Sequence, residues 1–593
     1  MHLTSLDWII VVLSLAVTFV PAIVLARRAG ANTAEFFAAG RKAPWWLIGI
    51  SLVATTFSTD TPNLVTNLVR DGGVAENWIW WSFLLTGMAT VFFYARLWRR
   101  SGVLTDLEFY ELRYSGKAAL AVRWIRALYL GLAFNCFIIA SVNLAAVKIA
   151  NILFGWSREE TLLLCAIVPI VFAAAAGLWG VMVTDMIQFC ITMTAAFAAA
   201  YFAVHAPGVG GLHGLIAHVQ STHPQMLSIL PNFADWRTAL AIFIIPLTVQ
   251  WWSAWYPGAE PGGGSYVAQR MLAARSENDA LFGTFMFQAM HYALRPWPWI
   301  VVALASTIVY PNLADIHARF PYVSSALLGN DIAYPAMLVF LPAGFAGFMV
   351  AGMFAAYRST IETHLNWGTS YLVHDFYRRV FRPDAPEGHY VLVGRIVTVV
   401  LMLAGVAATY ALDTAKEAFG LLISIGAGTG LIYLLRWFWW RINAWSEISA
   451  MCASFIVALA FFIEGKLGHA ASSTTVLLVT VGITTVVWLT VTWLTPADDP
   501  AKLAAFYAKV RPAGPGWRRI REAAGLPASP DSPAQALGAW VCGLAAIYSV
   551  LFGTGAFVYG RFLPGIVWSA LAAAAIAGLV YLLRKASPQI AQG

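Results

Sequence analysis

Four small or hydroxyl-bearing residues in a long apolar stretch have the spacing of one helix face. Ala356, Ser359, Thr360 and Thr363 are related as i, i+3, i+4 and i+7, so a helix there presents a stripe of hydroxyl groups. Uncharged hydroxyls are easier to bury in a membrane than charged side chains, and a hard cation such as sodium prefers oxygen ligands. The stripe therefore predicts a small-cation site, completed by freed backbone carbonyls, in an ion-coupled transporter.

The elements that must position this stripe are membrane-spanning helices. Of the 593 residues, 60% are hydrophobic and 11% are charged, and the mean hydropathy is +0.70, which leaves too little polar surface for a soluble globule. The sequence predicts an all-α integral membrane protein with about fifteen transmembrane helices. The apolar stretches lie near residues 7–26, 44–68, 77–98, 120–154, 161–178, 180–204, 237–256, 278–310, 335–366, 391–411, 416–438, 447–464, 474–494, 536–558 and 563–583.

Basic residues distinguish the two sides of the membrane. Lys and Arg concentrate in cytoplasmic loops, and here they alternate between loops, with 96–100, 270–275 and 378–382 on one side. This pattern predicts a multi-pass protein of the plasma (cytoplasmic) membrane, with the N-terminus outside, the C-terminus in the cytoplasm and a cytoplasmic loop at 495–535. The net charge of +8 follows mostly from this topology. Nucleic-acid binding is not indicated, because no basic face of a soluble module is evident, and neither is an obligate protein partner.

Two of the predicted spans contain residues that interrupt a helix. The run 57–63 places Ser, Thr, Asp and Pro at membrane depth, and the span 237–256 carries Pro246 and ends in the Gly/Pro-rich stretch 256–264. Irregular backbone at that depth is tolerated only beside a cavity or a ligand, and interrupted helices at matching positions mark inverted repeats. We predict five-helix inverted repeats at 44–205 and 237–440, an N-terminal helix and cytoplasmic loop at 1–43, and extra C-terminal helices at 441–593.

Four short stretches, at 36–41, 51–54, 184–188 and 355–360, resemble signatures of the sodium:solute symporter family, and the resemblance covers most of the chain. It implies a leucine-transporter-like fold with sodium as the co-transported ion and no organic cofactor. In that family one sodium is held between the broken first core helix and the eighth core helix. Transferred to this sequence, the resemblance implies carbonyl ligands from Ala54, Phe57 and Ala356 and hydroxyl ligands from Ser359 and Thr360.

A second ion site is less clearly encoded. The resemblance implies that Asp185 works with hydroxyls of the eighth core helix, of which Thr363 supplies one, but Glu362 stands where the family pattern has a serine. Arg358 and Glu362 are four residues apart, so one interpretation is an ion pair within the helix. The alternative is a carboxylate pair of Glu362 with Asp185 that binds a second cation or a proton.

The candidate substrate cavity lies along the two broken helices and their neighbours. Aromatic walls with a few polar groups suit a small organic solute, although many Trp residues of a membrane protein lie in interfacial belts. The sequence leaves a sugar, an amino acid or a carboxylate open. The candidates are Asp60, Thr61, Asn63, Trp78, Trp81, Gln250, Trp251, Trp252, Trp255, Tyr256, His291 and Arg295.

The function predicted from these features is sodium-coupled symport of a small organic solute by alternating access. One alternative is proton-coupled symport through Asp185 and Glu362, and another is a membrane sensor without net transport. A sensor is disfavoured because no kinase-sized soluble domain follows the helices. An enzyme is disfavoured because the His residues at 205, 213, 218 and 223 lack metal-ligand spacing.

Overall fold

The computed structural model describes residues 3–29, 39–173, 177–256, 258–469 and 471–590. Within these ranges the chain is helical, and the one β-bridge joins Ala43 to Ala274. Of the signature at 36–41, residues 36–38 lie outside the described residues, as does Pro257 of the Gly/Pro-rich stretch. The first half contains α1 Ser5–Ala29, α2 Trp45–Thr56, α3 Asp60–Gly72, α4 Val74–Ser101, α5 Gly116–Phe154, α6 Arg158–Ala173, α7 Gly177–Val204 and α8 Gly211–Thr222.

The second half continues the same architecture. Nine helical runs of the described ranges are long and apolar enough to cross a membrane, which agrees with an all-α membrane protein, while the total of about fifteen spans stays a prediction. The helices are α9 236–253, α10 Ser265–Ala273, α11 Glu277–Val309, α12 Phe345–Ser370, α13 Glu387–Thr409, α14 Ala415–Gly426, α15 Gly430–Leu435, α16 Ala444–Lys466, α17 Ser473–Leu494, α18 Pro500–Val510, α19 Pro533–Val558 and α20 Phe562–Ile590.

The first predicted interruption separates α2 from α3. Helix α2 ends at Thr56 and α3 begins at Asp60. Pro62 lies in the first turn of α3, where the N–H that proline lacks has no helical partner in any case. Phe57 N donates to Ala54 O at 3.1 Å, so the last turn of α2 closes tightly and the residues 57–59 are left non-helical.

The second interruption runs from residue 254 to residue 264, between α9 and α10. Gly262 and Gly263 have φ of 74° and 75°, a backbone region that favours glycine. Trp98 of α4 holds the segment in place by donating from Nε1 to Gly262 O at 2.8 Å. The break is therefore anchored to α4.

Two predicted spans have different bounds in the structure. The span 416–438 is interrupted, because α14 ends at Gly426 and α15 begins at Gly430, and Gly428 donates its N–H to Ser253 O at the end of α9, at 2.8 Å. The span 335–366 begins late, since α12 starts at Phe345 after Gly344, whose φ is 88°. The closely spaced glycines in 426–430 were the sequence signal for the interruption, and Pro342 was the signal for the late start of α12.

The core surrounds α2 and α12. Helix α2 packs against α7, α11 and α12, and α1 packs against α7 and α12. Helices α2 and α11 approach closely at Gly283, where an added Cβ would lie 2.7 Å from Ile48 Cγ2. Small residues are a usual means of bringing membrane helices together. The loop 495–535 carries α18, which buries Leu503, Phe506, Tyr507 and Val510.

Candidate ion and solute site

The hydroxyl stripe of α12 faces the broken end of α2. Thr360 Oγ1 lies 2.8 Å from Thr55 O and 3.1 Å from Ala356 O. Ala54, Phe57, Ala356, Ser359 and Thr360 are all buried. The arrangement brings hydroxyl and carbonyl oxygens of two helices together beside residues 57–59, where α2 no longer needs its carbonyls for helical hydrogen bonds.

Asp185 of α7 lies directly behind this group of oxygens. Its Oδ1 accepts a hydrogen bond from Ser359 Oγ and its Oδ2 accepts one from Ser51 Oγ, each at 2.6 Å. The carboxylate therefore connects α7 to both α2 and α12. Each carboxylate oxygen thus has a hydroxyl donor in a place that is only 1% exposed.

Arg270 of α10 is a further member of the site that sequence reasoning missed. Its Nη2 lies 3.3 Å from Thr363 Oγ1 and 4.0 Å from Asp185 Oδ2. Arg270 was predicted to be a loop charge, but its side chain is buried. A guanidinium thus stands among the groups expected to bind a second cation. Its position directly after the second break, in an otherwise buried helix, was the available signal.

Arg358 and Glu362 are in contact on the far side of α12. Arg358 Nε lies 3.1 Å from Glu362 Oε1. With its amide oxygen turned to the guanidinium, Gln188 of α7 accepts from Arg358 Nη2 at 2.7 Å. Arg358 also lines a small cavity with Ser14 and Thr18 of α1. This pair therefore faces α1 and α7 rather than the space beside the first break.

A small cavity lies between the two broken helices. Its volume is about 40 Å³, room for a few water molecules, whereas sites that hold small organic ligands usually measure hundreds of Å³. Solute entry therefore requires the helices to separate. The lining residues are Thr55, Thr56, Ser58, Asp60, Thr61, Leu64, Trp80, Ile138, Val142, Tyr256, Tyr266, His291, Thr360, His364, Phe419 and Leu422.

Four of the predicted substrate residues line this cavity: Asp60, Thr61, Tyr256 and His291. Asp60 accepts a hydrogen bond from Ser141 at 3.0 Å, and Thr56 Oγ1 lies 3.2 Å from His291 Nδ1. The same cavity includes Thr360 of the hydroxyl stripe. The predicted ion ligands and the predicted solute residues are therefore neighbours.

The other predicted substrate residues lie outside the lining of this cavity. Arg295 donates to Val53 O at 3.2 Å, and Trp255 stacks on Phe134 with ring centroids 3.8 Å apart. Gln250 donates to Ile79 O at 2.6 Å. Asn63 is buried on α3. The remaining tryptophans serve helix packing or bond within their own helix, as Trp78, Trp81, Trp251 and Trp252 do.

Sequence reasoning missed the cavity residues Trp80, Tyr266 and His364. Trp80 is adjacent to the predicted Trp81, but it points to His291, with ring centroids 5.8 Å apart. Adjacent residues of a helix face different directions, by about 100°, so the choice between them depends on helix rotation. Because aromatic residues occur on every face of α4, their spacing did not indicate which face points to the cavity.

Comparison with known proteins gives a consistent result. The family model described as "Sodium:solute symporter family" matches residues 36–456. The sodium/glucose cotransporter of Vibrio parahaemolyticus is 26% identical over 449 residues, which are 72% of this chain and 79% of that protein. The sodium/mannose cotransporter of Bos taurus is 26% identical over 427 residues, 68% of this chain and 69% of that protein.

A solved structure has a similar fold. It is the substrate-bound, outward-open state of a Na⁺-coupled sialic acid symporter, with a TM-score of 0.65 and 19% identity, and the match covers 84% of this chain and 99% of that one. At this identity the likeness concerns the helix arrangement alone.

Proposed function

Because the chain belongs to the sodium:solute symporter family and is a sodium-coupled transporter of a small organic solute, we propose that its sodium ion binds between the end of α2 and α12. The ligands are the carbonyl oxygens of Ala54, Phe57 and Ala356 and the hydroxyl oxygens of Ser359 and Thr360. All five residues are buried beside the first break. Neutral oxygen ligands coordinate a monovalent cation without holding it too tightly, which suits an ion that must be released in each transport cycle.

The observation that carries this assignment is the contact of Thr360 Oγ1 with Thr55 O at 2.8 Å. It joins α12 to the broken end of α2 through a hydroxyl that has lone pairs to offer a cation. When a sodium ion binds there, the hydroxyl hydrogen of Thr360 points away from the ion. Several ion–oxygen contacts then replace the single hydrogen bond between α12 and α2. Ion binding thus favours the conformation in which these two helices are held together.

The transport cycle follows from this link. Sodium from outside fixes α2 against α12 and shapes the solute cavity, solute closes the outer side, and both leave on the inner side. Each inward positive charge contributes about 2.3 kcal/mol per 100 mV of membrane potential, which supports accumulation of an uncharged solute.

We assign one sodium ion to the cycle because Arg270 supplies the positive charge near Asp185 and Thr363. A second cation would meet that guanidinium at short range. Proton coupling through Asp185 and Glu362, the alternative, has less support. Asp185 accepts two hydroxyl donors and Glu362 contacts Arg358, so each carboxylate is engaged by its own partners and not by the other carboxylate.

The cavity favours a solute that donates hydrogen bonds. Asp60 presents a carboxylate to the cavity, which attracts hydroxyl or ammonium groups and repels an anion. The remaining polar groups are hydroxyls and imidazoles. A sugar or an amino compound therefore fits this lining better than a simple carboxylate, and the curated relatives named above are glucose and mannose cotransporters.

The orientation we propose places the N-terminus outside and the C-terminus in the cytoplasm of the plasma membrane. Arg41, Arg99 and Arg100 gather at one end with the loop that carries α18; Arg100 donates to Val510 O at 2.9 Å, for example. Positive side chains collected at one end are typical of the cytoplasmic face.

The ion site is tested by the melting temperature of the purified protein in sodium and in potassium at equal ionic strength. A ligand that binds the folded state raises the melting temperature. We expect a sodium-specific rise in the wild type that disappears in Ser359→Ala and Thr360→Ala. The matched control is Thr369→Ala, on the same helix, whose hydroxyl contacts Thr398 instead. Equal rises in all four proteins would exclude the assigned site.

Transport is tested in proteoliposomes with labelled glucose and mannose as probes. Accumulation above the outside concentration, driven by an inward sodium gradient, is the expected result for one of them. Sodium-dependent binding without accumulation would instead support the sensor alternative.

A further inference from the structure

Glu260 is a buried acid in the second break that the sodium cycle does not use. It is 8% exposed, and among the described residues neither of its carboxylate oxygens makes a hydrogen bond of ordinary geometry. An ionised carboxylate without partners is strongly unfavourable in such surroundings. The group is stable there only if it is neutral or if a cation binds to it.

The cavity beside Glu260 does not suit a metal cation. It measures about 10 Å³, close to the space of one water molecule. Arg126 and Arg436 line the same cavity, and two guanidinium groups repel a further cation at this distance. Arg126 Nε and Nη1 also lack acceptors within the described chain, so Arg126 is not engaged by Glu260 in this conformation.

The charged groups around Glu260 balance without it. Asp106, from the loop after α4, accepts hydrogen bonds from Tyr371 Oη and from Ser265 N, the latter at 3.0 Å. Glu447 of α16 lies 3.3 Å from Arg436 Nη1 of α15. Two carboxylates therefore match Arg126 and Arg436. The other titratable groups around them include the phenols of Tyr110, Tyr266, Tyr371 and Tyr433, of which Tyr110 accepts from Arg436 Nη1 at 2.7 Å. An ionised Glu260 would add an uncompensated negative charge.

We propose that Glu260 carries a proton in this closed conformation and releases it to the cytoplasm when the second break opens. On release the O–H bond of the carboxyl breaks and the proton passes to water. The resulting carboxylate then pairs with the free Nε and Nη1 of Arg126. Neutral Glu260 is thus compatible with the closed break, whereas ionised Glu260 favours the open one, so that internal pH controls opening of the inner side.

The backbone of the break allows this exchange. Gly258, Gly262 and Gly263 all have positive φ, and an added Cβ at Gly264 would lie 3.7 Å from Glu260 Cβ and 4.0 Å from Asp106 Oδ2. The two acids therefore lie on either side of a residue without a side chain. A small rotation of this segment is enough to move Glu260 relative to Asp106 and Arg126.

Infrared spectroscopy of the full-length protein in sodium-free potassium buffer tests the protonation directly. At neutral pH we expect a C=O stretching band of a protonated carboxyl group that is missing in Glu260→Gln. Glu417→Gln, at the exposed start of α14, is the matched control and must keep the band. An unchanged band in Glu260→Gln would overturn the proposal. If Glu260→Gln fails to fold, Glu260→Asp keeps the carboxyl group and should shift the band.

The melting temperature supplies the second measurement. A carboxyl group that is neutral in the folded state stabilises it at low pH, and this contribution is lost as the pH rises until the group ionises. We expect the wild type to lose stability between slightly acidic and alkaline pH, and Glu260→Gln to show a smaller loss. Lower stability of Glu260→Gln at every pH would indicate a purely structural carboxylate and contradict the proposal.

The sodium response separates this proposal from the sodium site. Glu260→Gln should retain the sodium-specific rise in melting temperature. If that rise is present in the wild type and lost in Glu260→Gln, the residue binds sodium and the proton assignment is wrong. If Thr360→Ala loses the sodium-specific rise in melting temperature, that result concerns the sodium site at the first break and gives no information about Glu260.

Discussion

The two broken helices of the core differ in length, in backbone and in charge. The first break comprises residues 57–59 and contains no glycine, whereas the second runs from 254 to 264 and includes three glycines with positive φ among its described residues. The first faces hydroxyls and carbonyls. The second encloses Glu260, beside a cavity lined by Arg126 and Arg436.

The difference indicates that the two breaks have different functions. A short break with neutral oxygen partners is suited to a monovalent cation, since the ion itself completes the hydrogen-bonding deficit of the backbone. A long, glycine-rich break with a buried acid is suited to movement, because its backbone contains residues without Cβ atoms and because we propose that Glu260 changes its protonation state there. The two breaks meet at Gly258, whose added Cβ would lie 2.8 Å from Thr56 Cγ2.

The largest effect should come from Asp185→Ala, which removes the acid behind the first break. The change leaves Arg270 buried without its nearby carboxylate and removes the acceptor of Ser51 and Ser359. Breaking a buried charge pair by removing one partner typically costs about 3–5 kcal/mol. Thermal unfolding in detergent measures the loss. Asp185→Asn keeps the side-chain shape and one oxygen that can accept from the serine hydroxyls, so it should lose less. Equal losses in both variants would assign the effect to the missing negative charge beside Arg270.

Gly258→Ala should be the next most severe change, because it forces a side chain between the two breaks. Its φ of +88° and the close contact with Thr56 both oppose a Cβ atom. Strained backbone and overpacking each cost about 1–3 kcal/mol. Gly388→Ala, where an added Cβ meets nothing within 4 Å, is the control. Similar stability of both variants would show that the breaks are not in contact.

Thr360→Ala should leave stability in potassium nearly unchanged, with a loss of about 1 kcal/mol from the missing hydrogen bond. In sodium its deficit should grow, because the wild type gains stability from the ion and the variant does not. Titration of the melting temperature with sodium measures this. Thr360→Ser keeps the hydroxyl and should restore the response, and a Ser variant as unresponsive as Ala would point to the methyl group instead.

The smallest effect should come from Lys416→Ala, at the end opposite to the Arg41–Arg100 cluster. Lys416 Nζ lies 2.9 Å from Asp71 Oδ2 across the ends of α14 and α3, and both side chains are partly exposed to solvent. Such pairs contribute about 0.2–1 kcal/mol and less at high salt. Thermal unfolding of the wild type and of Lys416→Ala at low and high salt measures this contribution. A loss as large as that of Asp185→Ala would mean that this end of the broken helix, rather than its break, controls stability.

The sequence pointed to the first break with little ambiguity. Pro62 and the polar run before it cannot continue a buried helix, and the structure ends α2 at Thr56. The hydroxyl stripe was likewise visible as a helical period, and the structure places it against that break. These features are local, since they depend on backbone hydrogen bonding and on residue spacing within one segment.

The cavity lining was less accessible to sequence reasoning. Trp80 lines it and Trp81 does not, and Trp255 is held by Phe134 of another helix. Arg270 was placed among loop charges because its own segment is short and follows a Gly/Pro-rich stretch. In each case the missing information was the rotation or depth of a helix relative to its neighbours.

The sequence by itself determined that this chain crosses the membrane as helices, that the first core helix breaks near residue 57, and that hydroxyls line one face of α12. Hydropathy and backbone hydrogen bonding depend on residues that are close together in the chain, so they can be recognised from the amino-acid sequence. The tertiary structure alone decided which buried charges meet. Asp185 lies near Arg270, Lys148 contacts Asp331 at 2.7 Å, and Glu260 has no such partner among the described residues. Coulomb energies in a medium of low dielectric constant depend on distances between helices far apart in sequence.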